Sequence, residues 1–373
     1  MTIMKIIITG ADGFIGTNLR IRLRELGHTD VVRVTRETEP EQLADALSSC
    51  DFIFHLAGVN RPKTEAEFLS GNAGFTDRLC SALTVSSRSV PIVMSSSTQA
   101  ALDNPYGRSK LAAEQRLRAY RRETGAPIHI FRLANVFGKW ARPNYNSAVA
   151  TFCHNITRGL PICVNDPAAT LRLVHIDDVA DAFIKCLEGA SSSVEFAEVS
   201  PVYETTVGAV AEAIRAFAES RSSLISPPVG VGLMRVLYST YVSYLPAESF
   251  VYDVPRYGDQ RGMFSEVLKT TDSGQFSYFT ALPGITRGEH YHHTKTEKFI
   301  VIRGKARFGF RHIETNERHD IFVQGGEGQI VETVPGWAHD ITNVGDDELI
   351  VMLWANEIFD RSRPDTIAMR VSA

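Results

Sequence analysis

The stretch MKIIITGADGFIG, residues 4–16, decides the fold of the first half of this 373-residue chain. KIIITG reads as a buried strand. It runs directly into Gly10, Gly13 and Gly16, spaced G-x-x-G-x-x-G, and then into the helix-like NLRIRLREL closed by Gly27. A strand, a glycine turn and a helix in that order bring bare backbone amides to a helix N-terminus, where a pyrophosphate binds. The next β-rich run, DVVRVTR, ends in Thr35 and Arg36 instead of an acidic residue. An acidic side chain there would hold ribose hydroxyls, whereas an arginine suits a 2′-phosphate, so NADPH is expected over NADH.

Outward from this stretch, DFIFHLAG, PIVMSSS and IHIFRLANVFG read as further strands separated by helices. That alternation predicts a Rossmann-type α/β domain, a doubly wound parallel sheet with right-handed crossovers. The pattern changes near Pro246. Short strands and Gly/Pro/Asp turns follow without a long helix, which predicts an all-β barrel or jelly roll. The expected division is 1–245 and 246–373. A hydrophobic content of 44%, a charged content of 22% and a net charge of -4 are those of an ordinary globular protein. They give no reason to expect a nucleic-acid partner. The cysteines Cys50, Cys80, Cys153, Cys163 and Cys186 are scattered with no CxxC, which suggests reduced thiols and a cytoplasmic setting. No signal peptide is evident. The apolar run Val229–Leu245 contains Arg235 and several hydroxyls, and is expected to be a packing or subunit-contact helix, not a membrane span.

Two polar groups carry chemistry in the first half. SSST at Ser95–Thr98 is followed by YGRSK, a Y-x-x-x-K pattern with Tyr106 and Lys110 on one helix face. A nearby ammonium lowers a phenol pKa and favours proton transfer at a substrate oxygen, which a serine hydroxyl can hold. These residues resemble the extended short-chain dehydrogenase/reductases, many of which modify nucleotide sugars. The match also takes in HLAG at His55–Gly58, Asn72, RLANVFG and HIDDVADA. The resemblance implies a cofactor site of Gly10, Asp12, Gly13, Phe14, Ile15, Gly16, Arg36, Ala57, Asn72, Tyr106 and Lys110. It also implies Ser97 at the serine position, with Ser96 the adjacent alternative, and Asn135 and Arg172 toward the substrate. An arginine suits a diphosphate. One departure is that only eight residues lie between Ser97 and Tyr106, a shorter loop than the family usually carries.

The second half holds GITRGEHYHHTKTEKFIVIRG, residues 284–304, and PGWAHDITN, residues 335–343. The first resembles the first cupin motif; the second resembles the second motif with one departure, proline and glycine being adjacent. His290 and His292 are two apart on a strand and share a face. With Glu297 and His339 they suit a divalent transition metal such as zinc, iron, manganese or nickel. His293 should face away. A second resemblance competes for the same residues. YGDQRGMFSE, with Asp259, Arg261, Gly262, Phe264 and Glu266, and ITRGEHYH, with Arg287 and His290, look like keto-deoxyhexose 3,5-epimerases, which use a histidine base without metal. His290 as ligand and His290 as base exclude each other in their simple forms; Lys298 is a weaker candidate base.

The two halves together resemble the bifunctional capsule and O-antigen enzymes of the UDP-N-acetyl-L-fucosamine pathway. That resemblance implies a UDP-sugar substrate, C3 epimerisation and NADPH-dependent C4 reduction. It further implies zinc in the cupin and a homodimer or larger homo-oligomer. The other readings are a single-activity reductase or 4,6-dehydratase with a structural cupin, and a non-catalytic nucleotide-sugar or NADPH sensor. The stretch SSSTQAA offers no acidic group beside the serines, which disfavours dehydration.

Overall fold

A computed structural model describes residues 4–189, 195–254, 256–259, 262–265, 268–270, 274–357 and 362–372. The chain packs as two compact units, Met1–Val136 with Arg172–Glu204, and Phe137–Leu171 with Thr205–Ala373. Packing therefore divides the chain elsewhere than the change of pattern at 245/246.

The first unit is built on a six-stranded sheet of β1 (Ile6–Thr9), β2 (Val31–Val34), β3 (Phe52–His55), β4 (Ile92–Ser97), β5 (Ile128–Leu133) and β6 (Phe196–Ala197). The order is β2-β1-β3-β4-β5-β6 and every pairing is parallel. Helices cover both faces, as the near-continuous apolar strands require. On one face α1 (Phe14–Glu25) places Leu19 and Leu23 against Ile6, Ile8 and Phe54, and α5 (Ile176–Leu187) adds Val179 and Phe183. On the other, α2 (Pro40–Ser49), α3 (Phe75–Val85) and α4 (Pro105–Thr124) pack Leu47, Leu79 and Leu117 against Ile7, Ile53 and Ile92. Each such buried side chain contributes about 1.5–3 kcal/mol by removal from water. Strand order reverses between β1 and β3, so the glycine turn after β1 lies at a topological switch point, where ligands bind in open α/β sheets.

The second unit is a cupin of two antiparallel five-stranded sheets with helices attached. One sheet orders β7 (Val251–Asp253), β13 (Gln329–Glu332), β10 (Glu297–Arg303), β15 (Leu349–Ala355) and β8 (Gln275–Ala281). The other orders β12 (Arg318–Gln324), β11 (Lys305–His312), β14 (Trp337–Asn343), β9 (Thr286–Tyr291) and β16 (Ile367–Ala368). Phe299 of β10 meets Phe308 of β11 at 5.8 Å between ring centres, marking where the inner faces join. The helices α6 (Val207–Ser223) and α7 (Gly232–Ser243) belong to this unit because a buried charge cluster ties them to it. Glu332 accepts from Lys298, from Tyr238 at 2.9 Å and from Arg221 at 2.9 Å. The Arg221 guanidinium also lies 4.3 Å over the Tyr252 ring. The apolar run at 229–245 is thus a packing helix, with Val236 to Val242 all buried. No helix among the described residues is long and apolar enough to cross a membrane.

Candidate functional site

In the first unit the glycine turn is shaped by close approach. Gly10 has φ +67°, and a Cβ on it would sit 2.8 Å from the amide of Ala57. A Cβ on Gly16 would meet the Gly10 carbonyl at 2.3 Å, so α1 can dock on the turn only with glycine there. Gly13 is the N-cap of α1 and gives no side-chain cap, which leaves the first-turn amides open to an anion. Phe14 and Ile15 open that helix, and the partly buried Ile15 packs on the core. Asp12 pairs with Arg33 of β2. Arg36 is exposed just past β2 and has no acidic partner among the described residues. The glycine turn, its open amides and this cation suit a dinucleotide carrying a 2′-phosphate.

At the C-terminal ends of β3 and β4 the structure brings together Ser97, Tyr106, Lys110 and Asn72. Tyr106 faces Ser97, whose hydroxyl accepts from the Gln99 amide at 3.2 Å; burial raises the phenol pKa and the Ser97 hydroxyl pulls against it. Lys110 is 5% exposed and donates to the Ser95 carbonyl at 2.9 Å. Burial lowers its ammonium pKa to about 8, against the opposing attraction of Glu114. Asn72 lies in a π-helical turn, Ser70–Gly74, a distortion that concentrates at functional sites. Its amide clamps Val59 both ways, at 2.8 and 3.0 Å, and donates to Ser109 at 2.9 Å. His55 bonds Thr9 at 2.9 Å and Thr76 at 2.8 Å, and burial, then Lys110, lowers it to about 3, so it is neutral.

Of the two serines, Ser96 bonds the buried Glu114 and Ser97 faces Tyr106. The short connection between them and Tyr106 is a 3-10 turn, Thr98–Ala101, pressed onto the start of α4. Gly107 permits this, since a Cβ there would lie 2.3 Å from the Gln99 carbonyl. That glycine fills an unspecified position of Y-x-x-x-K, so the pattern carries no sign of its role. Arg172 lines a cavity of about 360 Å³ with Thr98, Arg132, Glu198 and Phe196, and lies 3.5 Å from Glu204. Asn135 is exposed beyond β5 and does not line this cavity.

In the second unit, His290, His292, Glu297 and His339 converge, with one ligand atom from each within 4.8 Å of the others. A bulge in β9 makes this possible. Arg287 pairs with Ile341 and His290 with His339, so one extra residue stands between Gly288 and His290. Gly288 and Glu289 take positive φ, at 99° and 56°, to form it. The partners Ile341 and His339 are two positions apart, so Arg287 and His290 share a face although they are three positions apart. The guanidinium of Arg287 lies 5.1 Å over the Phe279 ring. His293 is not in the group; its ring packs on Tyr291, 5.7 Å between centres.

The donor set fits a divalent metal. Nδ1 of His290 bonds the Gly288 carbonyl at 2.9 Å and Nδ1 of His292 bonds the Asp365 carbonyl, leaving Nε2 of each for an ion. Burial, then His339 and His292, lowers His290 to about 4, so it is a neutral imidazole at pH 7. Burial acts to raise the Glu297 carboxyl, yet the adjoining His292 and His339 rings and the charge of Lys295 hold it well below the usual range. Lys295 contacts its other oxygen at 2.7 Å.

Three supports of this site were not legible in the sequence. Asp365, from the C-terminal tail, accepts the amides of His293 at 2.9 Å, Thr294 at 2.6 Å and Lys295 at 2.8 Å. Asn356 accepts from the Thr296 amide at 2.9 Å, and Arg235 of α7 donates to Thr294 at 2.7 Å. The loop between ligands His292 and Glu297 is therefore held from three sides. Lys298, expected as a weaker candidate base, is corrected. It points away from the ligands onto Glu332 and Tyr252, and Glu332 overrides burial to hold its pKa well above normal. The side chains of Asp259, Arg261, Phe264 and Glu266, and the position of Gly262 relative to them, lie outside the described residues.

Comparison with known proteins agrees with this architecture. Residues 6–198 match the NAD dependent epimerase/dehydratase family, and residues 257–367 match the polysaccharide biosynthesis C-terminal domain. A relative from Pseudomonas aeruginosa, named UDP-2-acetamido-2,6-beta-L-arabino-hexul-4-ose reductase, is 55% identical over 99% of both chains. The crystal structure of the capsular polysaccharide assembling protein CapF from Staphylococcus aureus is 41% identical, with TM-score 0.68, over 99% of this chain and 100% of that one. A UDP-glucose 4-epimerase from Thermotoga maritima, 22% identical with TM-score 0.51 over 57% of this chain and 83% of its own, shares the fold of the first part. Matched along its whole length by the Pseudomonas relative and across its parallel sheet by the family model, the chain belongs to the NAD dependent epimerase/dehydratase family, in a form extended by a C-terminal cupin.

Proposed function

We propose that the chain is a bifunctional nucleotide-sugar enzyme. Its cupin, within 246–373, epimerises C3 of a UDP-2-acetamido-2,6-dideoxy-4-hexulose. Its Rossmann part, within 1–245, then reduces the C4 ketone with NADPH to give UDP-2-acetamido-2,6-dideoxy-L-talose. The observation that carries the reading is the Tyr106 hydroxyl facing Ser97 with the Lys110 ammonium one helical turn away. The name of the 55% identical Pseudomonas relative, a reductase of a UDP-linked 4-ulose, supports the same substrate class.

The order follows from the chemistry. The C4 ketone acidifies the C3 hydrogen, and its reduction ends that acidity, so epimerisation comes first. In the cupin a base removes the C3 proton, the Arg287 guanidinium, on the His290 face of β9, steadies charge on the enolate oxygen, and a proton returned to the opposite face of C3 completes the inversion. His290, His292, Glu297 and His339 would hold a divalent metal, zinc by preference, which supplies Lewis-acid polarisation when bound. In the Rossmann part, NADPH supplies a hydride to C4 when bound. Tyr106 gives its proton to the developing alkoxide, Ser97 holds that oxygen, and Lys110 favours the phenolate left behind. Arg172, in the cavity beside Thr98, would meet the diphosphate.

The test is a proton NMR time course in heavy water on the 4-keto product of a UDP-N-acetylglucosamine dehydratase-epimerase. Without NADPH, wild type should lose the C3 proton signal and His290→Ala should not. Tyr106→Phe should keep that exchange yet oxidise NADPH about 10²–10⁴-fold more slowly. Absence of exchange in wild type would leave a reductase with a structural cupin; loss of exchange in Tyr106→Phe would sink the two-site scheme.

A further inference from the structure

The face of α4 that presents Tyr106 and Lys110 continues one turn further to Glu114. The reaction outlined above uses the first two residues and leaves the third without a role. Glu114 is 1% exposed, and a carboxylate that deep must be compensated. Its Oε1 accepts from the Ser96 hydroxyl and from Nε of Arg132 at 3.0 Å; its Oε2 accepts from Nη2 of Arg132 at 2.6 Å. Ser96 and Arg132 are paired residues of β4 and β5, so one carboxylate pins the helix to two strands. Three consecutive serines thus hold three residues of one helical face: Ser95 receives Lys110, Ser96 meets Glu114 and Ser97 meets Tyr106.

We infer that Glu114 is a positioning residue for the reduction: it fixes α4 in register on β4 and β5, and supplies the buried negative charge against which Lys110 stays an ammonium ion. The inference rests on the reductase reading of the site. Several groups face Lys110. His55, from β3, is neutral. Asn72 and the β4 serines carry no charge. Tyr106 and Glu114 lie on its own helix, and the Arg132 cation, from β5, stands behind Glu114. Among these described groups Glu114 is the one anion. Burial lowers Lys110 to about 8 and Glu114 opposes that fall. Removing the negative charge therefore lowers the Lys110 pKa further, and activity that needs the ammonium is lost at lower pH.

Two readouts test this on the full-length protein. The first is the pH profile of NADPH oxidation with the 4-keto sugar nucleotide. The second is the titration of Lys110 followed by carbon NMR in 13C-lysine-labelled protein, assigned with Lys110→Met, which needs no turnover. Glu114→Gln keeps the size and an acceptor for Ser96 but removes the charge. It should move the basic limb and the Lys110 midpoint acidward by roughly one pH unit or more. Arg132 would then be unpaired, so the double variant Glu114→Gln/Arg132→Met guards against misfolding. Losing the more distant cation as well, it should shift the same way by less. A Lys110 midpoint unchanged in both folded variants would overturn the inference. Failure of wild type to reduce the sugar would instead remove the reductase reading, while the NMR titration would still decide the role of Glu114.

Discussion

Lys110 and Glu114 find their partners 15 to 18 positions away, in the strands on either side of their own helix. His292 and the loop after it are held by Asp365, 70 to 73 positions away in the C-terminal tail. Both places are buried, polar and centred on short motifs. They differ in how far the chain must travel to complete them. Where a βαβ crossover returns the chain beside itself, reacting residues and their supports fall within one readable segment. In a jelly roll, neighbouring strands are distant in sequence, so a motif names the ligands and omits what orients them.

The largest effect should come from breaking the cluster that ties α6 and α7 to the cupin. Lys298→Met would leave Glu332 buried at 1% exposure with one cation fewer. Breaking a buried pair from one side costs about 3–5 kcal/mol. Thermal denaturation should show that loss, with NADPH affinity within twofold of wild type. An unchanged melting temperature would mean that Arg221 and Tyr238 alone satisfy Glu332.

Next in size is the tail. Asp365→Ala removes the acceptor of three consecutive amides between two ligands. Loss of such outer support lowers metal affinity about 10–100-fold. Competition for zinc against a chromophoric chelator measures it. Asp365→Asn, which retains acceptor oxygen, should fall between. Equal affinity in all three proteins would show that the ligand loop is held without the tail, and the contrast between the two sites would shrink.

The parallel sheet, the glycine turn, the serine-tyrosine-lysine group and the four converging residues His290, His292, Glu297 and His339 could be read in advance because each is a local pattern with a physical reason for its spacing. The bulge at Gly288–Glu289 could not. A regular strand puts Arg287 and His290 on opposite faces, and only the pairing with Ile341 and His339 shows that they share one. Gly107 fills an unspecified position of Y-x-x-x-K, and only the Gln99 carbonyl against it shows why it is glycine. Lys298, the weaker candidate base, follows Glu297, but period two turns it to the other side, where α7 and β13 supply its partners. The packing division of the chain was hidden for the same reason, since Arg221 and Tyr238 show no sign in sequence of their shared carboxylate.

The smallest effect sharpens the local end of the comparison. Two arginines stand near the glycine turn, and they are not equivalent. Arg33 is engaged with Asp12, whereas Arg36 is exposed without an acidic partner among the described residues. A free guanidinium can close on a 2′-phosphate without first leaving a carboxylate. Arg36→Ala should therefore weaken NADPH binding roughly tenfold and leave NADH binding unchanged, because only NADPH carries the phosphate. Arg33→Ala should change the ratio less. Fluorescence titration of both dinucleotides on both variants decides the matter. If Arg33→Ala proves the more damaging, then the Asp12 pair opens on binding, and the residue nearest the glycine turn sets the preference in place of the one at the strand's end.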